Sequence, residues 1–264
     1  MTKFMIRQLC RAFSFGSRPH RKAHLRKAKS DRAFYFDELE TRLAPATFQV
    51  INRNDVDPAL PDYKLDPLYA GSLRAAIDGV EASLDPSSKI AFTGPEFDLT
   101  GPAIFLEGDY PALTKSVDFK GTDKANVIID GAGWRAIHST TPNLSLSMDK
   151  LTIRNTAGSL IDYAEGSLTL SGIELHSNNV VGDGAGIRLG KGSLTLTDAK
   201  LYNLTAVRGG AIFADSSSVT ISNSTIVTSS AGGNGGAIFV SGGSLNVSDT
   251  TFTDNAAVGN GCLL

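Results

Sequence analysis

Three ionisable residues recur at one position of an internal repeat. His138, Asp162 and Arg188 each follow an aliphatic residue, Ile137, Ile161 and Ile187. A carboxylate beside a guanidinium can bind a uronate or assist a proton transfer, and an imidazole adds a second acid–base group. These three are the candidate catalytic residues. The same position continues as Phe213 and Phe239, which with Trp134 are the candidate ligand-facing aromatics. The plainer reading of the row is a ladder of exposed charges, each contributing little. Trp134 likewise reads either as a sugar platform or as an aromatic covering a corner.

A row of this kind needs a scaffold that brings residues about 25 apart side by side, and the sequence supplies one. The aliphatics Ile137, Ile161, Ile187, Ile212 and Ile238 open five similar segments. Three further columns accompany them: Leu144, Leu168, Leu194, Val219, Leu245; then Leu146, Leu170, Leu196, Ile221, Val247; then Leu151, Leu175, Leu201, Ile226, Phe252. Within each repeat the period is two, as in Ser193-Leu194-Thr195-Leu196-Thr197, so the leucines face one way and the hydroxyls the other. A repeat of short strands cannot bury its apolar side alone, but stacked repeats share one aliphatic core. The spacing predicts three strands per coil, with successive coils paired in parallel ~4.8 Å apart. The fold class expected is all-β, a parallel β-helix.

Punctuation agrees. All ten prolines lie at or before Pro142, and 18 of the 27 glycines lie at or after Gly158. Proline removes a ladder donor, whereas glycine allows tight corners. Asp198, Asn223 and Asp249 align at one such corner, after Gly172, as a ladder of turn residues. Ser147, Ser171, Thr197, Ser222 and Ser248 form an outward hydroxyl column, beside Ser145, Thr169, Thr195, Thr220 and Asn246; such rows order water or simply suit an exposed strand.

Upstream, Ile90–Thr93, Ala103–Leu106, Val117–Lys120 and Val127–Asp130 read as strands of less regular coils, and Thr47–Ile51 as a first strand. Ser72–Leu84 reads as an amphipathic helix: Leu73, Ala76, Ile77, Val80 and Leu84 share a face, Ser72 caps and Pro86 stops it. It is expected to cover the first coil, whose edge would otherwise be bare. The domain reading is a basic leader over 1–36 and a β-helix over 37–264, with capping region 47–88, irregular coils 89–136 and regular coils 137–264.

Composition narrows the function classes. The 264 residues carry 25 Lys+Arg and 27 Asp+Glu, but residues 1–32 hold ten of the basic groups and one acid, Asp31. The rest carries 15 basic and 26 acidic groups, a charge of 15 − 26 = −11. An acidic body repels phosphates, so nucleic acid is not an expected partner. No long apolar run suggests a membrane span. The two cysteines, Cys10 and Cys262, form neither a disulfide framework nor a metal spacing, and neither a cofactor nor a metal is expected. The leader's apolar residues are broken by Arg7 and Arg11, which reads as an export-related segment of unusual type or a disordered arm.

Several segments resemble known families. Gly209-Gly210-Ala211-Ile212 and Gly235-Gly236-Ala237-Ile238 resemble the GGAI repeats of chlamydial polymorphic outer-membrane proteins. Phe252-Thr253-Asp254-Asn255 is similar to the FxxN that accompanies them, and Leu175-His176-Ser177-Asn178 to a weaker form. The run from Leu39 to Phe48 resembles the leader-to-body junction of planctomycete-type secreted β-helix proteins; Gly71 to Ile77 is similar to the SLRxAI segment of many bacterial surface β-helices. The resemblance covers roughly residues 37–261. It implies a right-handed, pectate-lyase-like β-helix in an extracellular or cell-surface setting, and no particular reaction. The paired aspartates of polygalacturonase-like hydrolases are not found.

The function expected is therefore structural or adhesin-like, with extracellular carbohydrate or a surface protein bound along the long face. The alternative is a polysaccharide lyase or hydrolase using Asp162 and Arg188, and the reading leans away from catalysis. The chain stops at Gly261-Cys262-Leu263-Leu264 without a capping element, as a fragment of a longer protein would.

Overall fold

The computed structural model describes residues 44–261. The basic leader, Cys10, Cys262 and residues 39–43 of the Leu39–Phe48 junction lie outside the described residues. Elements of the N-terminal part are β1 (Ala46–Val50), a 3-10 turn (Tyr63–Leu65), α1 (Leu73–Ala82), β2 (Ser87–Phe92), β3 (Ile104–Phe105), β4 (Ser116–Lys120) and β5 (Ile128–Asp130). The repeats then supply β6 (Ile137–Ser139), β7 (Leu144–Asp149), β8 (Thr152–Arg154), β9 (Ile161–Ser171), β10 (Glu174–Asn179) and β11 (Ile187–Thr197). They continue with β12 (Lys200–Ala206), β13 (Ile212–Ser222), β14 (Thr225–Val227), β15 (Ser230–Ala231), β16 (Ile238–Ser248), β17 (Thr251–Thr253) and β18 (Ala256–Ala257).

The chain is a parallel β-solenoid of about seven turns. One sheet runs β1-β2-β4-β7-β9-β11-β13-β16, with β6 beside β9; the other runs β3-β5-β8-β10-β12-β14-β17. The eleven-residue strands change phase midway. In β11, Ile187 and Leu189 are buried, then Leu194 and Leu196, so the alternation restarts at Gly190–Ser193. Each such strand therefore contributes two straight runs, and with the second sheet a coil has three. At this corner Gly192 has φ 131°, and a Cβ there would strike the Gly166 carbonyl of the coil below. Only glycine permits both that backbone and that approach.

The core is the stack of inward side chains. Ile137, Ile161, Ile187, Ile212 and Ile238 pair in register and are buried. The other three columns hold from Leu168 onward but are corrected in the first repeat. Leu146, not Leu144, pairs with Leu168, and Met148 pairs with Leu170. Ile153, not Leu151, pairs with Leu175. The hydroxyl columns shift with them: Ser147 lies beside Thr169, and Asp149 beside Ser171. The cause is the segment between β6 and β7, where residues 140–143 bulge before Asn143 turns at φ 60°.

The helix forms where the pattern places it. Ser72 Oγ accepts from the Ala75 amide at 3.2 Å, and Leu73, Ala76, Ile77 and Val80 are buried against β1 and β2. Leu84 lies beyond its end and is fully exposed, so it is no part of the apolar face. Arg74, in the middle of the SLRxAI-like segment, points inward instead. Its Nε and Nη2 meet the Asp55 carboxylate at 2.7 and 2.8 Å, and Nη2 and Nη1 also donate to the carbonyls of Gly108 and Asp109. A buried pair persists only when its hydrogen bonds are filled, and here Arg74 ties the helix to the loops on either side. Among the described residues no helix is long and apolar enough to cross a membrane.

Candidate functional site

The predicted row exists. His138 pairs in register with Asp162, Asp162 with Arg188, Arg188 with Phe213, and Phe213 with Phe239. Each residue follows an inward isoleucine, and the Ile column fixes its register. Arg188 Nη1 donates to Asp162 Oδ1 at 2.8 Å. A partner absent from the predicted row completes the group: Arg135, in the turn before β6, donates to Asp162 Oδ2 at 2.8 Å. Both carboxylate oxygens are thus held by cations. That suits a bridged ion pair better than a general base, which needs a free lone pair aimed at a proton. His138 lies beside them, with Nδ1 enclosed and without a hydrogen-bond partner among the described residues. Burial lowers its pKa, Arg135 lowers it further, and Asp162 and Asp109 oppose the shift.

The aromatic candidates divide. Trp134 is 45% exposed at its corner. Phe213 is only 7% exposed and stacks on Phe239 with centroids 5.7 Å apart. Arg208 lies over both rings, at 4.8 and 5.4 Å, and its guanidinium grips Asp183 at 3.0 and 2.7 Å. Phe213 is thus packed beneath the Arg208 guanidinium, with little of its ring exposed. Arg208 comes from a turn outside the strand columns.

The second sheet carries an outward column that sequence reasoning missed: Phe105, Asp130, Arg154, His176, Tyr202 and Val227. His176 and Tyr202 stack with centroids 4.5 Å apart and planes 6° apart. Tyr202 donates to Glu174 Oε1 at 2.6 Å; burial and that bond push its phenol up to about 12. Burial lowers the His176 pKa. Arg154 Nε meets Asp130 Oδ2 at 2.7 Å. The rings spend their faces on each other, and the charges are paired in place. The column was legible only from period-two positions read across coils of unequal length.

The outer side of the first sheet is different in kind. Ser167, Thr169 and Ser171 lie in register with Ser193, Thr195 and Thr197, then with Ser218, Thr220 and Ser222, then with Ser244, Asn246 and Ser248. No charged residue interrupts this array. One of its columns runs from β2 to β16, through Ser87, Ser116, Ser145, Ser167, Ser193, Ser218 and Ser244. Hydroxyls bridge along it, as between Ser145 and Ser167 at 2.9 Å and Ser218 and Ser244 at 3.1 Å. The shift in the first repeat hid this column from the sequence.

The sequence-predicted corner ladder is present and structural. Asp198, Asn223 and Asp249 all have positive φ, as has Gly172, and Asn223 Nδ2 donates to Asp198 Oδ1 at 2.6 Å. The Asn of each FxxN-like segment is also structural. Asn178 donates to the carbonyls of Gly158 and Ala185 and accepts from the Thr156 amide; Asn255 accepts from the Ser229 amide and donates to the Ile226 carbonyl. Among the described residues no group of His, Cys, Asp and Glu is arranged to hold a metal ion. No protein-family model, no curated protein and no solved structure matches this chain.

Proposed function

We propose that this chain is an extracellular or cell-surface solenoid of structural, adhesin-like character that binds carbohydrate along the hydroxyl face of its first sheet. The observation that carries this reading is the charge-free array from Ser167 to Ser248. Each Ser or Thr hydroxyl donates one hydrogen bond and accepts others, matching sugar hydroxyls in kind. Short side chains lose little rotamer freedom when a ligand covers them. No ion must be stripped of water there. The acidic body disfavours polyanions, so the ligand class is a neutral polysaccharide.

The finer fold assignment belongs to the same proposal. Right-handed winding is supported by the general rule that parallel crossovers are right-handed in about 98% of cases. The GGAI-like and SLRxAI-like segments support the pectate-lyase-like, surface-protein reading, and the basic leader is taken as its export-related segment. The lyase or hydrolase alternative is disfavoured by the two guanidiniums on Asp162.

The test is to incubate the full chain with insoluble β-glucan, xylan, mannan and polyuronate, measuring bound protein and released reducing or unsaturated ends. Retention on a neutral polymer with no product supports the proposal. Retention on none, or product from any of them, overturns it.

A further inference from the structure

The hydroxyl face is hollowed toward its N-terminal end. Around β2, β4, β7 and β9 the outer surface holds a groove of about 540 Å³. That is within the ordinary size of a small-ligand site, roughly 300–1,000 Å³. The groove is continuous with the face, because Ser145, Ser147 and Thr169 belong to both. It differs in carrying charge. Lys89 and Asp118 stand in the column that further along is all hydroxyl and amide.

Their pairing is uneven. Lys89 is in register with Asp118, whose Oδ1 lies 3.5 Å from Lys120 Nζ but accepts no hydrogen bond among the described residues. Lys120 also reaches Asp149 at 3.8 Å. Among the described residues Lys89 pairs with no carboxylate. Lys89, a partly buried residue, is therefore left with donors to spend in a groove also lined by serine hydroxyls, which both donate and accept. Hydrogen bonds with one charged member are about twice as strong as neutral ones.

We propose that this groove is the anchoring subsite for the carbohydrate: a short stretch of a neutral polysaccharide seats here, with Lys89 donating to a sugar oxygen, while the rest of the hydroxyl array makes weaker contacts with the remainder of the chain. This inference rests on the carbohydrate reading above. It assigns the ligand's tightest point to Lys89, Ser116, Ser145 and Ser147 rather than to Trp134 or the Phe213–Phe239 stack.

The experiment titrates the full chain with soluble β-glucan, xylan and mannan oligosaccharides of increasing length, in wild type and in Lys89→Met, Lys89→Arg, Ser147→Phe and Thr220→Arg. Lys89→Met removes the donors, and Ser147→Phe fills the groove. Each is expected to weaken binding of the shortest bound oligosaccharide about tenfold or more, with Lys89→Arg near wild type. Thr220→Arg lies outside the groove and should weaken only the longer ligands. Melting temperatures identify any variant that is merely misfolded, and Lys89→Met and Ser147→Phe act independently. If both groove variants bind as wild type while Thr220→Arg loses affinity, the groove assignment is wrong and the face reading stands. If wild type binds no oligosaccharide or polymer, both fall.

Discussion

Arg188 reaches back one coil to Asp162, with Nη1 2.8 Å from Oδ1, while Arg135 holds Oδ2 from the coil before. The two arginines are 45% and 42% exposed, so water and salt screen what they contribute. Asp162→Asn should change stability by less than ~1 kcal/mol in urea unfolding. It should leave carbohydrate binding as it was. A loss of several kcal/mol would mean that the triad is a structural keystone rather than a surface bridge.

The corner glycines should be far less tolerant. Gly192 combines φ 131° with a blocked Cβ position. Gly192→Ala is expected to cost about 1–3 kcal/mol, the scale of a strained backbone. Gly182 has nothing within 4 Å of a Cβ and no positive φ. Gly182→Ala should therefore be neutral or stabilise by about 0.5 kcal/mol through the unfolded chain. Equal effects at the two positions would contradict the stacking geometry described for the corner.

Acid should weaken the fold through its two partly buried histidines. Burial lowers the pKa of both His138 and His176; Arg135 adds to the first shift, and Glu174 opposes the second. The folded chain then takes up these protons less readily than the unfolded chain. This contribution to stability is complete above the ordinary histidine value of ~6.5 and is lost as pH falls through and below it. Urea midpoints should drop between about pH 7 and about pH 5, and a His138→Gln, His176→Gln double variant should drop less. A double variant with the same pH slope as wild type would remove the histidines from the account.

Much of the solenoid was legible because stacking repeats leave columns in the sequence. The isoleucine column and the capped helix at Ser72 were read in place. The failures have physical causes. Placing Leu144 against Leu168 instead of Leu146 is a slip of two residues. A two-residue slip keeps every side chain on its correct side, so hydropathy is blind to it. The slip broke the long serine column into fragments. Arg135 and Arg208 were missed because turns deliver them, and turn residues follow no period. Arg74 lies outside the apolar stripe of the helix, and its partner Asp55, nineteen positions away, shows itself only in the fold.

The most direct measurement is the affinity of a Thr195→Arg, Thr220→Arg double variant for the neutral polysaccharide that wild type binds best. These two residues are adjacent in the charge-free array, and both point outward. Two arginines there add bulk and charge to the face without touching the core. The expected result is a near-unchanged melting temperature and a loss of affinity for the polymer of about tenfold, near 1.4 kcal/mol. Wild-type affinity in a folded double variant would contradict it, and would move the binding surface off the hydroxyl face.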